Sequence, residues 1–329
     1  MSMNTVVVGY GKSLNSKLFH CNAIKATEGL KLYGVCAKNP MHKEEVKRNY
    51  NCKFYTSFKK VLEDDKVNLV AIATPSYLHA EMILQALNAK KHVVVEKPMC
   101  LKVSEADEMI KRSEHQNRIL TVRQNRRWDP DFLTMKNVLV EEKLGKVFLL
   151  HIAYTDLLKP SGWRKEREKG GGVLYDLGPH LIDQALQLIL SEPVSVYAFM
   201  GNWGGSLNTD MYARLLLKFQ SGVFTDIELS HISWIPKSRW YAQGDRGSLS
   251  YKNGMIYLRT DAGESAVTPV PSDQGGFYQN VSDVLNRDAK LAVTPHQISK
   301  VIRIIEAAFL SAETGKVVDL RTFTPSDRS

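Results

Sequence analysis

The tripeptide Glu96-Lys97-Pro98 directly follows an apolar run at 92–95, and further along residues 170–180 read Gly-Gly-Gly-Val-Leu-Tyr-Asp-Leu-Gly-Pro-His, setting Asp176 and His180 four positions apart. A lysine, an acid and a histidine together can handle a proton. Taking a hydride and a proton from an alcohol builds alkoxide character on the oxygen, so the reaction needs a base and a nearby positive charge. Histidine suits the proton because its unperturbed pKa is about 6.5. The Lys97 ammonium would steady the developing negative oxygen, and Asp176 would anchor an adjacent hydroxyl. Asp183, three residues beyond His180, either orients the imidazole or is an ordinary surface carboxylate.

Asp176 and His180 share a helix face only if the helix already begins at Tyr175, and Gly178 and Pro179 leave that open. They converge equally if Asp176 lies just before the first turn. In the preceding loop, Trp163 and Arg164 are candidates for a substrate wall and a hydroxyl or carboxylate clamp. Gly170, Gly171 and Gly172 either permit close backbone approach or serve as a flexible connection. The charge run 159–169 reads as the solvated face of a mobile loop.

The elements that must position these groups come in two rhythms. Apolar strands at 5–8, 30–35, 53–55, 69–73, 93–95 and 119–122 alternate with amphipathic segments of helical length. That alternation predicts an α/β Rossmann domain, a doubly wound parallel sheet covered on both faces, over residues 1–123. Lys97 then sits at a strand tip, where open α/β sheets place their chemistry. Beyond Arg123 the pattern predicts a helix at 131–142, a strand at 146–154 and a helix from about 178 to 190. Strands follow at 194–200, 212–219, 223–229, 240–243, 248–251 and 255–258, with a last helix at 295–314. Residues 124–329 thus read as a substrate-binding and oligomerisation α+β domain with a large, mostly antiparallel sheet. Helices on one side of such a sheet leave the other side to be covered, which predicts a homo-oligomer, dimer or tetramer, formed through it.

The first strand runs into Gly9-Tyr10-Gly11-Lys12-Ser13-Leu14. The first glycine permits a tight turn and the second lets backbone approach a pyrophosphate resting on the following helix; Leu14 stands where a third Gly or Ala is usual. The second strand ends Val35-Cys36-Ala37-Lys38, without the acid that bonds the ribose of NAD. Cationic Lys38 favours the 2′-phosphate of NADP, although a merely solvated Lys38 would leave NAD accepted. Thr74 and Pro75 end the fourth strand, where a nicotinamide ribose would pass, and His79 either reaches that region or is a packed histidine. Glu96, Lys97 and Asn125 complete the expected cofactor-facing set. Arg126 could reach cofactor or substrate, and Arg127 forms at most a surface ion pair.

Composition bounds the partners. The 329 residues are 43% hydrophobic and 24% charged, close to globular averages. The net charge of +9 is spread along the chain among 35 acids, which argues against nucleic acid and for some attraction to phosphate-bearing ligands. No apolar stretch has membrane-spanning length and the N-terminus enters a strand directly. Cys21, Cys36, Cys52 and Cys100 lack zinc-site spacing, so reduced thiols in the cytoplasm and no metal are expected.

With the Gly-x-Gly turn, Thr-Pro-x4-His, Glu-Lys-Pro and Asp-x-Gly-x-His in this order, the chain resembles the Gfo/Idh/MocA oxidoreductases over nearly its whole length. Gln124-Asn-Arg-Arg-Trp-Asp129 and Tyr175-Asp-Leu-Gly-Pro-His-Leu-Ile-Asp183 bring it nearest to the inositol- and sugar-dehydrogenase-like branch. The resemblance implies hydride transfer between NADP or NAD and a secondary hydroxyl or ketone of a sugar, inositol or related polyol, with the substrate held between the domains. It gives Lys97 the reacting hydroxyl, Asp176 substrate positioning and His180 the proton, and it implies a cis Lys97–Pro98 bond. Three alternatives stay open: a redox-assisted glycosidase with tightly held NAD, a nucleotide-sensing regulatory protein without catalysis, and biliverdin-reductase-like chemistry, which the Asp-x-Gly-x-His signature fits less well than a small hydroxylated substrate.

Overall fold

The computed structural model describes residues 2–11, 15–203, 208–273 and 275–324, so Lys12, Ser13 and Leu14 of the expected nucleotide turn lie outside the described residues. The chain divides into two compact units, Met1–Gln124 with Gln274–Ser299, and Asn125–Asp273 with Lys300–Ser329.

In the first unit six parallel strands, β1 (Met3–Val8), β2 (Leu30–Cys36), β3 (Lys53–Tyr55), β4 (Leu69–Ile72), β5 (His92–Val95) and β6 (Leu120–Val122), stand in the order β3-β2-β1-β4-β5-β6. Every residue of β4 is fully buried, as are Val93, Val94 and Val95. Strands without polar alternation need cover on both faces. It comes from α1 (Ala23–Ala26), α2 (His42–Tyr50), α3 (Phe58–Leu62), α4 (His79–Asn88) and α5 (Val103–His115), of which α4 turns Ile83, Ala86 and Leu87 inward at helical spacing. Strand order reverses between β1 and β4, and the crevice at their carboxyl ends is the topological switch point, where such sheets bind ligands.

Segment 274–299, assigned above to the second domain, packs instead in this first unit. It carries α8 (Gly276–Arg287), a helix the sequence pattern did not suggest. Phe277, Tyr278 and Val281 are buried, the Ser282 hydroxyl donates to the Glu28 carbonyl, and the Thr121 hydroxyl donates to the Val293 carbonyl. Its apolar stripe is short and preceded by Gly275 and Gly276, so locally it reads as a turn.

The second unit is built on β7 (Val147–Thr155), β8 (Pro193–Gly201), β9 (Tyr212–Phe219), β10 (Phe224–Ser230), β11 (Trp240–Gly244), β12 (Ser248–Lys252), β13 (Met255–Thr260), β14 (Gly263–Ala266) and β15 (Val318–Asp319). Their order is β14-β13-β12-β11-β7-β10-β9-β8-β15, antiparallel except between β7 and β10. Besides α6 (Pro130–Val140), the unit holds α7 (Val173–Leu188), which packs on β7, β9 and β10, and most of α9 (Pro295–Thr314). Leu150, Ile152, Leu215, Leu217, Ile227 and Leu229 are buried, whereas Phe148, Tyr197, Phe199, Leu216 and Phe224 are exposed. Among the described residues no helix is long and apolar enough to cross a membrane.

Candidate functional site

The head of α7 is fixed from outside the helix. Val173 N donates to the Asp210 carbonyl at 2.9 Å and Leu174 N donates to Asp210 Oδ2 at 2.7 Å. A carboxylate thereby satisfies an orphan donor and faces the positive end of the helix dipole. Gly172 makes room for it: φ is +103°, and a Cβ there would lie 2.2 Å from Asp210 Oδ1. Asp176 N donates to the Gly172 carbonyl at 3.0 Å, so the helix starts at Val173, earlier than the expected start near 178. Asp176 and His180 therefore both lie within α7, one turn apart on one face. His180 is buried and Asp176 partly open.

Arg164 and His231 flank Asp176. Arg164 Nε lies 3.7 Å from Oδ1, with its guanidinium 4.5 Å over the Trp163 ring. His231 Nε2 lies 3.6 Å from Oδ2, and the other ring nitrogen of His231 is 2.8 Å from Asp156 Oδ1. The sequence reading missed His231 and Asp156. They follow directly on β10 and β7, and the parallel pairing of these strands brings both carboxyl ends to one edge. There Asp156 N donates to the Ser230 carbonyl at 2.9 Å and Leu158 N to the His231 carbonyl at 3.0 Å. An acid and a histidine each placed directly after a strand was the available signal. Burial disfavours charge on His231, but Asp176 and Asp156 together hold its pKa above the ordinary value.

Asp183 neither orients His180 nor lies at the surface. Its carboxylate accepts two bonds from Arg127, from Nε at 2.8 Å and Nη2 at 2.5 Å, and both side chains are buried. Arg127 is thus a core residue rather than a surface ion pair. Arg126 stacks 4.9 Å over Tyr154 and lies 3.4 Å from Asp129, lining a cavity of about 340 Å³ with Asp131 and Arg239. Asn125 opens the short turn Asn125–Trp128.

In the first unit Lys97 sits half-buried beyond the tip of β5, and the Lys97–Pro98 bond is cis. The neighbouring Glu96 carboxylate is taken up by protein partners, His20 Nε2 at 2.8 Å and Arg123 Nη1 at 3.2 Å. Burial pushes its pKa up, but the bond from His20 and the charges of Arg123 and Lys97 hold it well below the usual carboxylate range. Burial keeps His20 neutral; with its proton on Nε2 it donates to Glu96 and accepts from the Tyr278 hydroxyl. His79 is a packed histidine: its ring nitrogens lie 2.8 Å from the Pro98 carbonyl and 2.9 Å from the Thr74 carbonyl, tying the β4 and β5 tip loops together.

The switch-point crevice suits a dinucleotide. Gly9 has φ +97°, and a Cβ there would lie 2.6 Å from the Ala73 carbonyl oxygen, whereas a Cβ on Gly11 would meet nothing within 4 Å among the described residues. The chain thus folds tightly at Gly9, as the first glycine of such a turn requires. The Tyr10 ring turns away into the unit, its hydroxyl donating to Glu45 Oε1 at 2.9 Å. Ala37 is buried, and Lys38 is exposed just past β2. Among the described residues no three His, Cys, Asp or Glu side chains are grouped to hold a metal ion.

Comparison with known proteins agrees with this architecture. The model of the Gfo/Idh/MocA oxidoreductase family, NAD-binding Rossmann fold, matches residues 3–124, and that of the Gfo/Idh/MocA C-terminal domain matches residues 132–250. The chain is 31% identical to the uncharacterized oxidoreductase YdgJ of Escherichia coli (strain K12), over 93% of this chain and 95% of that one. It is 28% identical to scyllo-inositol 2-dehydrogenase (NADP(+)) IolW of Bacillus subtilis (strain 168), over 95% of each. The solved structure of an NAD-binding protein from Listeria innocua superimposes with a TM-score of 0.87 at 30% identity, covering 97% of both chains.

Proposed function

The chain belongs to the Gfo/Idh/MocA oxidoreductase family, and from that premise we propose that it interconverts a secondary hydroxyl and ketone on a sugar, inositol or related polyol, with NADP preferred over NAD. The observation that carries this reading is the head of α7, where Asp176 and His180 share one helical face and Asp176 is flanked by Arg164 and His231. Such a site offers a base, an acceptor for a neighbouring hydroxyl and donors for further hydroxyls, which is how a small polyhydroxylated ligand is held.

A bound nicotinamide would supply the acceptor or donor of the hydride. Among the chain's own residues, His180 takes the hydroxyl proton, Lys97 stabilises the negative charge that gathers on that oxygen, and Asp176 holds an adjacent hydroxyl. Gly9 and Gly11 serve the pyrophosphate, with Thr74 and Pro75 along the nicotinamide side. Lys38, exposed where NAD enzymes carry an acid, is the basis of the NADP preference. The name of the Bacillus subtilis relative points the same way.

A homo-oligomer formed through the exposed sheet face belongs to the same proposal, with Tyr197, Phe199, Leu216 and Phe224 exposed there to supply apolar contact area. So does a cytoplasmic setting, since Cys36 is a buried thiol whose pKa burial pushes up to about 11, the behaviour of an inert reduced core residue.

The test is nicotinamide reduction followed by absorbance, with inositols, aldoses and sugar acids tried against both cofactors. Turnover by the unmodified protein and its loss in Lys97→Met, with cofactor binding retained, is the expected outcome. Equal turnover in the two proteins would remove Lys97 from the mechanism.

A further inference from the structure

Asp176 is one of two carboxylates gathered on a single imidazole. His231 Nδ1 lies 2.8 Å from Asp156 Oδ1, and Nε2 lies 3.6 Å from Asp176 Oδ2, an ion-pair distance too long for a direct hydrogen bond. The His231 side chain is 2% exposed, against 36% for Asp156 and 22% for Asp176. The ring is sealed while both acids stay open to solvent.

We propose, resting on the polyol reading above, that Asp156, His231 and Asp176 form a clamp for two neighbouring hydroxyls of the substrate, with Asp156 a further substrate-binding residue and His231 a cationic positioning residue. Carboxylates only accept hydrogen bonds. A neutral ring has a single N–H and would turn a lone pair on one of the two acids, whereas an imidazolium presents N–H to both. Asp156 beyond β7 and Asp176 on α7 face the ring and favour that charge, whereas burial pushes the pKa of Asp210, near the head of α7, up and disfavours its charge, and Arg164 stands on the far side of Asp176. The ring sets the two carboxylates relative to each other, and both, open to solvent, accept hydrogen bonds from substrate hydroxyls. Substrates with an isolated hydroxyl fill only half of such a site.

Two measurements on the full-length chain test the clamp, and neither needs turnover. Nitrogen-15 NMR of the histidine rings at pH 7.5, with the His231 signals identified by their loss in His231→Gln, should find both ring nitrogens protonated. Asp156→Asn, a partly exposed and shape-conserving change, should move this titration to lower pH. Adding myo-inositol should then shift the His231 signals, while 1,4-cyclohexanediol at the same concentration, which has no vicinal pair, should leave them in place. A neutral His231 in the unmodified protein, or equal responses to the two compounds, overturns the clamp. Turnover separates this failure from that of the broader reading: a panel with no active polyol sinks the oxidoreductase proposal, whereas the ring's charge and response are read independently. Where a substrate turns over, Asp156→Asn should raise KM about tenfold, the loss of one hydrogen bond to a charged group, and lower kcat less. An unchanged KM counts against Asp156.

Discussion

Arg127 grips both oxygens of Asp183, with Nε at 2.8 Å and Nη2 at 2.5 Å, and so pins the turn Asn125–Trp128 to the middle of α7. Both groups are buried, so removing one strands the other's charge. Arg127→Leu should lower unfolding stability by about 3–5 kcal/mol in a urea titration, and the double change with Asp183→Leu should recover much of it. A single change within about 0.5 kcal/mol of the unmodified protein would show that the pair is not held as described.

Because Asp183 is committed to Arg127, it and His180 should separate in kinetics. His180→Ala should lower kcat by roughly 10²–10⁴-fold and remove one limb of the pH–rate profile. Asp183→Asn should reduce stability and leave the apparent pKa values of kcat where they were. A shifted profile in Asp183→Asn would restore it as the imidazole's partner.

Lys38 is exposed, so a 2′-phosphate bound to it would be met in water. Lys38→Ala should raise KM for NADP by about tenfold while KM for NAD stays within about twofold. The NADP effect should shrink at high salt, as exposed charge interactions do. Parallel changes for both cofactors would assign Lys38 to neither.

His92 accepts a bond on Nδ1 from Ile119 N at 3.1 Å and must be unprotonated there to do so. Burial, aided by Arg118, lowers its pKa from 6.5 to about 4. The unfolded chain therefore binds the extra proton first, so stability is full above pH 6.5 and falls as pH drops toward 4. The loss is of order 3 kcal/mol at most. Replacing His92 by Gln should flatten the stability curve between these values, measured by urea unfolding at successive pH. An unchanged slope would place the titrating group elsewhere.

Gly172→Ala tests the head of α7. The added methyl meets Asp210 Oδ1 at 2.2 Å in a backbone conformation of φ +103°. The cost should be about 1–3 kcal/mol, together with a fall in turnover because Asp176 follows within the first turn. Full activity in Gly172→Ala would mean that the helix start tolerates a displaced Asp210.

The nucleotide-binding sheet was legible because its central strands carry short apolar runs, at 6–8, 69–72 and 93–95, bounded by turns, a pattern carried in consecutive residues. The strand tip that carries Lys97 was legible for the same local reason. The start of α7 was not, because the group that satisfies its first turn is Asp210, on a distant stretch of chain, while Gly178 and Pro179 imitate a boundary. His231 and Asp156 escaped because β7 and β10 pair in parallel, and no local pattern states which strands are neighbours. Asp183 was misjudged since its spacing from His180 says nothing of Arg127, which reaches it from another element. Helix α8 was missed because its apolar stripe is brief and its partners, His20 and Glu28, lie near the opposite end of the chain.

The return of residues 274–299 to the first unit has a consequence for how the protein can be taken apart. The polypeptide passes from one unit to the other at 124/125, again at 273/274 and a third time at 299/300. A fragment ending at Gln124 would carry the whole nucleotide sheet and yet lack Tyr278 against His20, Ser282 against Glu28 and Val293 against Thr121. The cofactor half is therefore not a module that one cut or one gene fusion can move. Transplanting it means bringing along a segment encoded after most of its neighbour.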